Sequence, residues 1–428
     1  MYKWEITKNI SDYKKVEKGY IIVPDREEIR KLIKSKTEFN VIAPYEPPKE
    51  FKDIFIVINK DKKVLSEQEE KYLKEEAKKK AKTKEEEKII YEHLKKRRIE
   101  EKTGIKIYKP SLKLSDLGGL NAVKDLANTL RNIKPFTLFF PKGILLVGIP
   151  GTGKSYSVKA LAGELNRYLI EIDLTALLES DNPIADLEKI LNTIEEMELE
   201  CILWVDEFEK PLSDPKGVKL VGKLLTILNE FHSDTGYMIN GFWWFTANNI
   251  TILSEKFPEL FRSGRFDRKF FVNLPSYKSA EEIFKIYFKK YLLAPKDFVG
   301  LYDEKKYYNV YNKAKEFFEN PSNMAKLFSN YRLKLNQVFV DNITSSKAYR
   351  EIKERFFYTP AEINYHLKYI AKDMFLLGDF SENLFLKSAV HNTFFVKPII
   401  FAMEQGIMNM LKQKDMFEDI EKGVSSSI

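Results

Sequence analysis

The sequence predicts an α/β protein whose central element is a parallel β-sheet covered by helices on both faces. Between residues 114 and 275, runs of apolar residues alternate with segments of helical periodicity. The runs occupy residues 144–147, 168–170, 202–205 and 242–245. They are apolar at every position, which is typical of strands buried on both faces. Parallel strands need crossover connections, and the intervening helices would supply them.

The first part of the chain predicts a small α/β domain over residues 1–62. Short apolar runs at residues 20–23 and 55–58 alternate with polar segments and are typical of strands. A helix is expected over residues 25–35, because Asp25 is a suitable N-cap residue. This domain would precede the main sheet as a separate unit.

A charged linker helix is predicted over residues 63–106. Ser66 and Glu69 have the spacing of a capping box, which marks a helix start. Residues 66–102 hold thirteen Lys and Arg but also eleven Glu, and this is the densest charge in a chain of net charge +8. Interleaved charges of both signs indicate a solvated helix face more often than a phosphate-binding stripe. The net charge alone therefore does not predict nucleic-acid binding.

The rest of the chain divides into three parts. Residues 107–275 form the sheet-containing subdomain, residues 276–421 form a helical subdomain with an insertion near 295–350, and residues 422–428 form a tail. The helical subdomain is rich in phenylalanine, and helical core is a better interpretation of these residues than a stacking platform for bases.

The composition excludes several classes of protein. A chain of 428 residues, 44% of them hydrophobic, is expected to form about two to four globular domains. No run of apolar residues is long enough to predict a membrane span, and the polar N-terminus does not resemble a secretory signal. One cysteine cannot form an internal disulfide or a cysteine cluster for zinc. The four histidines show no HExxH spacing, which argues against a metalloprotease.

The strongest functional signal is a glycine-rich loop that follows the apolar run 144–147. It fits the Walker A pattern GxxxxGK[ST] and reads Gly148-Ile149-Pro150-Gly151-Thr152-Gly153-Lys154-Ser155. A predicted strand precedes it and an amphipathic segment follows, which is the context that a phosphate-binding loop requires. Glycines let several backbone N–H groups converge on phosphate, and the helix N-terminus adds partial positive charge. We predict that Lys154 reaches the β- and γ-phosphates and that Ser155 binds Mg²⁺.

Two adjacent carboxylates are expected beside this loop. Asp206 and Glu207 directly follow the apolar run 202–205, and the carboxyl ends of parallel strands open onto the ligand crevice of such folds. Asp206 is predicted to hold Mg²⁺, and Glu207 is the candidate base that polarises the attacking water. An apolar run that ends in two acidic residues is weak evidence by itself. It gains its meaning from the phosphate loop earlier in the chain.

Further polar residues follow the apolar run 242–245. Asn248 is placed to hold the attacking water against the γ-phosphate from the far side. Arg262 and Arg265 follow in the segment 259–268. The alternative interpretation of these arginines is a solvated pair or a salt bridge to Asp267.

In this order, the elements resemble an AAA+ ATPase of the classical AAA clade. Residues 114–120 are similar to the segment that opens that module and lies against adenine. The resemblance implies a parallel five-stranded P-loop sheet flanked by helices, a C-terminal helical lid, and ATP with Mg²⁺ as ligands. It also implies that Arg262 and Arg265 are arginine fingers. The nucleotide contacts that it implies are Gly118, Gly119, Pro150, Gly151, Thr152, Gly153, Lys154, Ser155, Tyr156 and Ala361.

Within this clade the chain is similar to the AAA proteins of a conserved chloroplast open reading frame, found in algal plastids and cyanobacteria. The sequence departs from the clade in three respects that concern function. The stretch from Asn248 to Arg262 is about three residues longer than in the clade, which bears on the placement of the arginine fingers. Phe208 and Glu209 stand where the clade usually has an aliphatic residue and Asp. Residues 174–180 lack the aromatic–glycine pore loop with which unfoldases grip a threaded chain. The resemblance implies a cytoplasmic location, or the plastid stroma if the protein is plastid-encoded.

These features favour an oligomeric ATPase, arranged as a hexameric ring or spiral, that remodels a protein partner without threading it. The partner would be held by residues 1–62 or by the insertion. The second hypothesis is an ATP-gated scaffold or switch with slow hydrolysis. A nucleic-acid motor or loader ranks last, because no nucleic-acid-binding module is recognisable. No membrane partner is expected.

Overall fold

The computed structural model describes most of the chain from residue 67 onward and four strands before it. The described residues are 2–6, 20–22, 40–43, 55–59, 67–81, 83–103, 105–197, 199–233, 236–261, 266–352 and 354–421. Within these residues, no helix combines the length and the apolar character that crossing a bilayer demands.

The N-terminal strands form a parallel four-stranded sheet with the order β2-β3-β1-β4. The strands are β1 Tyr2–Ile6, β2 Tyr20–Ile22, β3 Asn40–Ala43 and β4 Phe55–Asn59. Strand β1 lies at the centre and pairs with both β3 and β4. The two strands predicted here correspond to β2 and β4. The predicted helix at residues 25–35 lies outside the described residues.

The charged segment is a pair of helices and not the single linker helix that the sequence predicts. Helix α1 spans Glu67–Lys80 and helix α2 spans Lys84–Thr103. Thr83 separates them, and its hydroxyl accepts a hydrogen bond from the Glu86 N–H at 3.1 Å, as an N-cap does. Arg98 near the end of α2 bonds Glu69 near the start of α1 at 3.1 Å, so the helices are antiparallel. The interleaved charges therefore pair between helices as well as along them.

The main sheet has seven strands in the order β11-β10-β6-β9-β8-β7-β5. They are β5 Lys106–Tyr108, β6 Gly143–Gly148, β7 Tyr168–Glu171, β8 Cys201–Val205, β9 Gly241–Ala247, β10 Arg268–Val272 and β11 Glu418–Asp419. The central strands β10, β6, β9, β8 and β7 are mutually parallel, which confirms the predicted five-stranded core. Strand β5 adds an antiparallel edge, and β11 extends the opposite edge.

Helices cover both faces of this sheet, as the continuous apolar runs require. Successive side chains of a strand point to opposite faces, and in β6 Ile144 and Leu146 join one buried cluster while Leu145 and Val147 join the other. The helices of this subdomain are α3 Asn121–Asn132, α4 Lys154–Glu164, α5 Leu174–Leu177, α6 Pro183–Met197, α7 Pro215–Glu230 and α8 Ile250–Lys256. Short 3-10 helices span Leu114–Asp116, Lys210–Ser213 and Pro258–Phe261.

The helical lid follows β10. Its helices are α9 Tyr277–Leu292, α10 Lys296–Val299, α11 Glu304–Glu319, α12 Pro321–Val338, α13 Val340–Ser345, α14 Lys347–Glu351, α15 Pro360–Leu377, α16 Glu382–Asn392, α17 Ile399–Ala402 and α18 Glu404–Lys412. Aromatic side chains such as Phe284, Tyr331 and Phe385 are fully buried at its centre. The phenylalanines of residues 356, 357 and 385 are lid core, whereas Phe394 and Phe395 are exposed.

The chain then returns to the sheet, which corrects the predicted end of the lid at residue 421. Strand β11 pairs with β10 through Phe270 and Phe271. The Ala122 N–H donates to the Ile420 carbonyl oxygen at 3.0 Å, which ties the returning segment to helix α3. A two-residue strand carries no apolar periodicity, so the sequence pattern could not predict this pairing.

Candidate functional site

The phosphate loop connects β6 to α4 by a turn that glycine conformations allow. Gly151 and Gly153 have φ angles of +79° and +93°, in the region that other L-residues rarely adopt. The Ala361 N–H, at the start of α15, donates to the Gly151 carbonyl oxygen at 3.1 Å. The lid therefore contacts the loop directly.

Lys154 lies beneath the loop and is 5% exposed. Its ammonium group donates to the carbonyl oxygens of Gly148 at 2.8 Å and Ile149 at 2.9 Å. Burial lowers the pKa of Lys154 to about 7, and the nearby carboxylates, Glu209 foremost, oppose this shift. Phosphate oxygens are stronger acceptors for an ammonium than carbonyl oxygens are. A phosphate group in the loop can therefore replace these carbonyl oxygens as the acceptor for the Lys154 ammonium group.

Two hydroxyl groups converge on the carboxylate of Asp206. Ser155 Oγ donates to Asp206 Oδ1 at 2.7 Å, and the Thr246 hydroxyl donates to the same oxygen. Ser155 and Asp206 together present hard oxygen donors beside the phosphate loop, which is the donor chemistry that Mg²⁺ prefers. Among the described residues, no group of three or more His, Cys, Asp or Glu could hold a metal ion.

Glu207 and Asn248 lie side by side at the ends of β8 and β9. Asn248 Nδ2 donates to Glu207 Oε1 at 3.0 Å, and the Glu207 N–H donates to Thr246 Oγ1 at 3.1 Å. Glu207 has a φ angle of +48°, which is uncommon for a residue other than glycine. Such backbone strain is frequent at functional sites. The predicted base and the predicted water-holding amide are therefore in direct contact.

Glu209 is a buried residue that holds the backbone of Asn248, a role that sequence analysis missed. It is 7% exposed, and its Oε1 accepts a hydrogen bond from the Asn248 N–H at 2.8 Å. Its Oε2 has no hydrogen-bond partner among the described residues. Burial raises the pKa of Glu209 above its usual value. The one sequence signal was the departure from the clade's usual Asp at this position.

A cavity of about 440 Å³ lies between the sheet, the phosphate loop and the lid. Most predicted site residues line it. These are Gly118, Pro150, Gly151, Thr152, Gly153, Lys154, Ser155, Tyr156, Asp206, Glu207, Asn248 and Ala361. Gly119 is not part of the lining formed by the described residues, because its N–H turns towards Glu282 of the lid and donates to Oε2 at 2.9 Å.

Helix α9 contributes a wall of the cavity that sequence analysis did not identify. Ile283, Ile286, Tyr287 and Lys290 line it, and Tyr365 of α15 lines it from the same subdomain. Their spacing of three and four residues defines one face of α9. That spacing reveals a face but not the element that this face contacts, so the pattern alone could not assign it to the cavity.

The two predicted arginine fingers fall within residues 262–265, which lie outside the described residues. The flanking segments are positioned: Pro258–Phe261 is a 3-10 helix, and Asp267 follows. Asp267 Oδ2 accepts hydrogen bonds from the N–H groups of Lys142 at 2.7 Å and Gly143 at 2.9 Å. The carboxylate of Asp267 is therefore engaged at the start of β6.

Comparison with known proteins agrees with this geometry. Residues 144–274 match the model of the ATPase family associated with various cellular activities (AAA). The uncharacterized AAA domain-containing protein ycf46 of Guillardia theta is 37% identical over 213 residues, which are 46% of this chain and 40% of that protein. The ycf46 protein of Gracilaria tenuistipitata var. liui is 34% identical over 213 residues, covering 47% of this chain and 42% of that protein.

A more distant relative is the ATP-dependent zinc metalloprotease FtsH of Cyanidium caldarium. It is 30% identical over 214 residues, which are 45% of this chain and 32% of that protein. The chain thus spans less than half the length of the curated relatives that it matches. The residues that match the family model include the phosphate loop. Residues 144–274 therefore form an AAA domain, and the chain is similar to the ycf46 proteins of algal plastids.

Proposed function

We propose that this protein hydrolyses ATP with Mg²⁺ in an oligomeric assembly and uses the reaction to remodel or regulate a protein partner. The observation that carries the proposal is the contact between Glu207 and Asn248 in the lining of a cavity that is also lined by Lys154, Ser155 and Asp206. These are the groups that hydrolysis of a phosphoanhydride needs at one place. The AAA family implies ATP as the nucleotide.

Each group has a distinct part in the proposed reaction. Lys154 leaves its carbonyl acceptors to bind the β- and γ-phosphates, and Ser155 with Asp206 would hold Mg²⁺, which neutralises phosphate charge. Glu207 accepts a proton from the attacking water, and Asn248 orients that water towards the γ-phosphate. Tyr287 and Gly118 border the part of the cavity proposed for the adenine.

We propose that Arg262 and Arg265 complete the site of a neighbouring subunit. An arginine finger stabilises the charge that develops on the γ-phosphate and contributes roughly 10³- to 10⁵-fold in rate in related systems. A lone subunit would then be nearly inactive, and a hexameric ring or spiral is the arrangement that we propose. The location would be the cytoplasm or the plastid stroma.

The partner is proposed to be a protein held by residues 1–62 or by the helices near 295–350. Because residues 174–180 lack an aromatic–glycine pair, local prying of the partner fits better than threading. The second candidate is an ATP-gated scaffold with slow hydrolysis. One observation favours it: both carboxylate oxygens of Glu207 are engaged by Asn248 and Lys210.

The test is the steady-state ATPase rate against protein concentration, with particle size measured in parallel. Wild type is compared with Glu207→Gln and Arg265→Ala, and with Glu188→Gln and Arg350→Ala as controls at surface positions. We expect specific activity to rise with assembly and both site variants to lose it, whereas the controls keep it. A rate that is independent of concentration, with a silent Arg265→Ala, would contradict the shared-site proposal and favour a monomeric switch.

A further inference from the structure

Glu207 is held on both sides by side chains of its own subunit. Its Oε1 accepts a hydrogen bond from Asn248 Nδ2 at 3.0 Å, and its Oε2 forms an ion pair with the ammonium group of Lys210. Glu207 and Asn248 line the cavity, whereas Lys210 does not belong to its lining among the described residues. Asn248 therefore contacts Glu207 from within the cavity lining, whereas Lys210 contacts it from outside that lining.

A backbone hydrogen bond places Lys210 close to Glu207. Its N–H donates to the Glu207 carbonyl oxygen at 2.9 Å, which closes a tight turn between the two residues. Lys210 is the first residue of the 3-10 helix Lys210–Ser213, whose Pro211 and Leu212 are buried. The buried side chains of Pro211 and Leu212 anchor this short helix to the sheet subdomain. The Lys210 side chain is nevertheless 60% exposed, so water can compete with Glu207 for its ammonium group.

This pairing competes with the proposed catalytic task of Glu207. A general base must accept a hydrogen bond from the attacking water, at about 2.6–3.2 Å between heavy atoms. The ammonium of Lys210 and the amide of Asn248 already occupy one carboxylate oxygen each. At least one of these contacts must be given up or shared before water can bind in line with the phosphate.

We propose that Lys210 is a positioning residue that holds the Glu207 carboxylate in a resting orientation and thereby slows basal hydrolysis. The inference rests on the proposed ATPase function. An exposed pair is weak, so the effect must be modest: measured strengths of such pairs correspond to roughly two- to fivefold in rate. Lys210 restrains the base through its side chain and takes no part in the transfer itself.

The experiment replaces Lys210 with Met, which keeps most of the length of the side chain but removes the charge. We expect Lys210→Met to raise kcat roughly two- to fivefold at unchanged KM for ATP, and Lys210→Arg to retain the slower rate. The matched control is Lys223→Met, since Lys223 forms a comparable surface pair with Glu188 at 2.6 Å, away from the cavity. Its rate is expected to equal that of wild type.

Two further measurements separate a restraint from a general structural effect. Added salt screens exposed pairs, so it should raise the wild-type rate towards that of Lys210→Met more than it changes the variant. A double-mutant cycle of Lys210→Met and Glu207→Gln on urea unfolding should give a non-zero coupling, and this readout does not depend on turnover. A lowered or unchanged kcat in Lys210→Met, or zero coupling, overturns the inference. A wild type without ATPase activity in any assembly state overturns the proposed function instead, while the cycle still reports on the pair.

Discussion

Gly118 lies where the sheet subdomain meets the lid over the cavity. A Cβ added at this position would lie 2.5 Å from Ile283 Cγ1 and 2.7 Å from the Ile283 backbone nitrogen. Because the backbone of α9 cannot yield as a flexible side chain can, Gly118→Ala must push the lid away from the cavity. Overpacking of this kind costs about 1–3 kcal/mol. We expect a loss of that size in urea unfolding, together with weaker binding of a fluorescent ATP analogue.

Gly222→Ala is the matched control for this substitution. Gly222 lies within α7, and an added Cβ would find its nearest neighbour, Phe257 Cε1, at 3.8 Å. Replacing a helical glycine with alanine at an open site should stabilise the protein by roughly 0.5–1 kcal/mol. If Gly118→Ala behaves like Gly222→Ala, the close contact between Gly118 and the lid does not exist.

The positions of individual candidate site residues were predictable where a local motif fixes their geometry. Lys154 and Ser155 follow from the phosphate loop, and Asp206 follows from the end of a buried strand. Lys210 pairs with Glu207, three residues earlier, through the turn that follows β8. Glu209 also lies next to that motif in the chain, but its role depends on a contact with Asn248 at the end of the neighbouring strand β9. No spacing rule encodes such contacts. For the same reason the cavity wall on α9 was not assigned.

At the scale of elements, apolar runs predicted the parallel strands well because burial on both faces leaves a continuous signature. The charged helix was mispredicted because helical propensity is high on both sides of Thr83, and the break depends on a single N-cap. The lid was recognised as helical, yet its packing around a buried histidine has no local signal. Helix α15 carries that histidine, and its environment leads to a prediction about acid stability.

His366 is fully buried in the lid between Tyr331 and Ala389. Its Nε2–H donates to the Ala389 carbonyl oxygen at 2.8 Å, so Nδ1 is left to accept from the Tyr331 hydroxyl at 2.7 Å. Burial lowers the pKa of His366 to about 4. An unfolded histidine titrates near pH 6.5. Between about pH 6.5 and 4, this histidine therefore binds a proton in the unfolded chain but not in the folded chain. Folding stability must therefore fall as the pH drops through this window.

The expected loss attributable to His366 is about 2–3 kcal/mol between pH 7 and pH 4. We expect His366→Gln, which cannot titrate, to show a shallower dependence of unfolding free energy on pH than wild type, whatever its absolute stability. His391→Gln, which alters an exposed lid histidine, is the control substitution. His232, whose pKa burial also lowers to about 4, keeps part of the slope in both variants. Equal slopes for His366→Gln and wild type would contradict the prediction.

At the scale of the whole molecule, the C-terminal segment joins the lid to the sheet subdomain. Arg268 at the start of β10 pairs with Glu418 of β11, and Ile420 is buried against α3 and the sheet. Glu421 Oε1 accepts from the Ser276 N–H at 3.1 Å, where the sheet subdomain leads into the lid. The nucleotide cavity lies between the two subdomains, so its shape depends on this junction. Contacts between residues about 150 positions apart are beyond local sequence patterns.

Arg355 is the central cation of this junction. It donates to the Leu274 carbonyl oxygen at 2.7 Å and to Glu421 Oε2 at 2.9 Å, and its side chain is 19% exposed. Arg355→Met would leave a partly buried carboxylate without its cation, and we expect a loss of about 2–3 kcal/mol, because hydrogen bonds to charged groups are among the stronger ones. Arg350→Met, at an exposed position of α14, should change stability by less than about 0.5 kcal/mol.

Two spectroscopic signals can show which subdomain Arg355→Met destabilises. Trp204, Trp243 and Trp244 are buried in β8 and β9, so tryptophan fluorescence reports mainly on the sheet, whereas far-UV circular dichroism reports on the helices that dominate the lid. In wild type the two urea transitions should coincide over the AAA module. In Arg355→Met the helical transition should move to lower urea than the fluorescence transition, because the lid has lost its tie to the sheet. Coincident transitions at the wild-type midpoint would mean that the subdomains are joined chiefly through the buried contacts of α9 and not through the C-terminal segment.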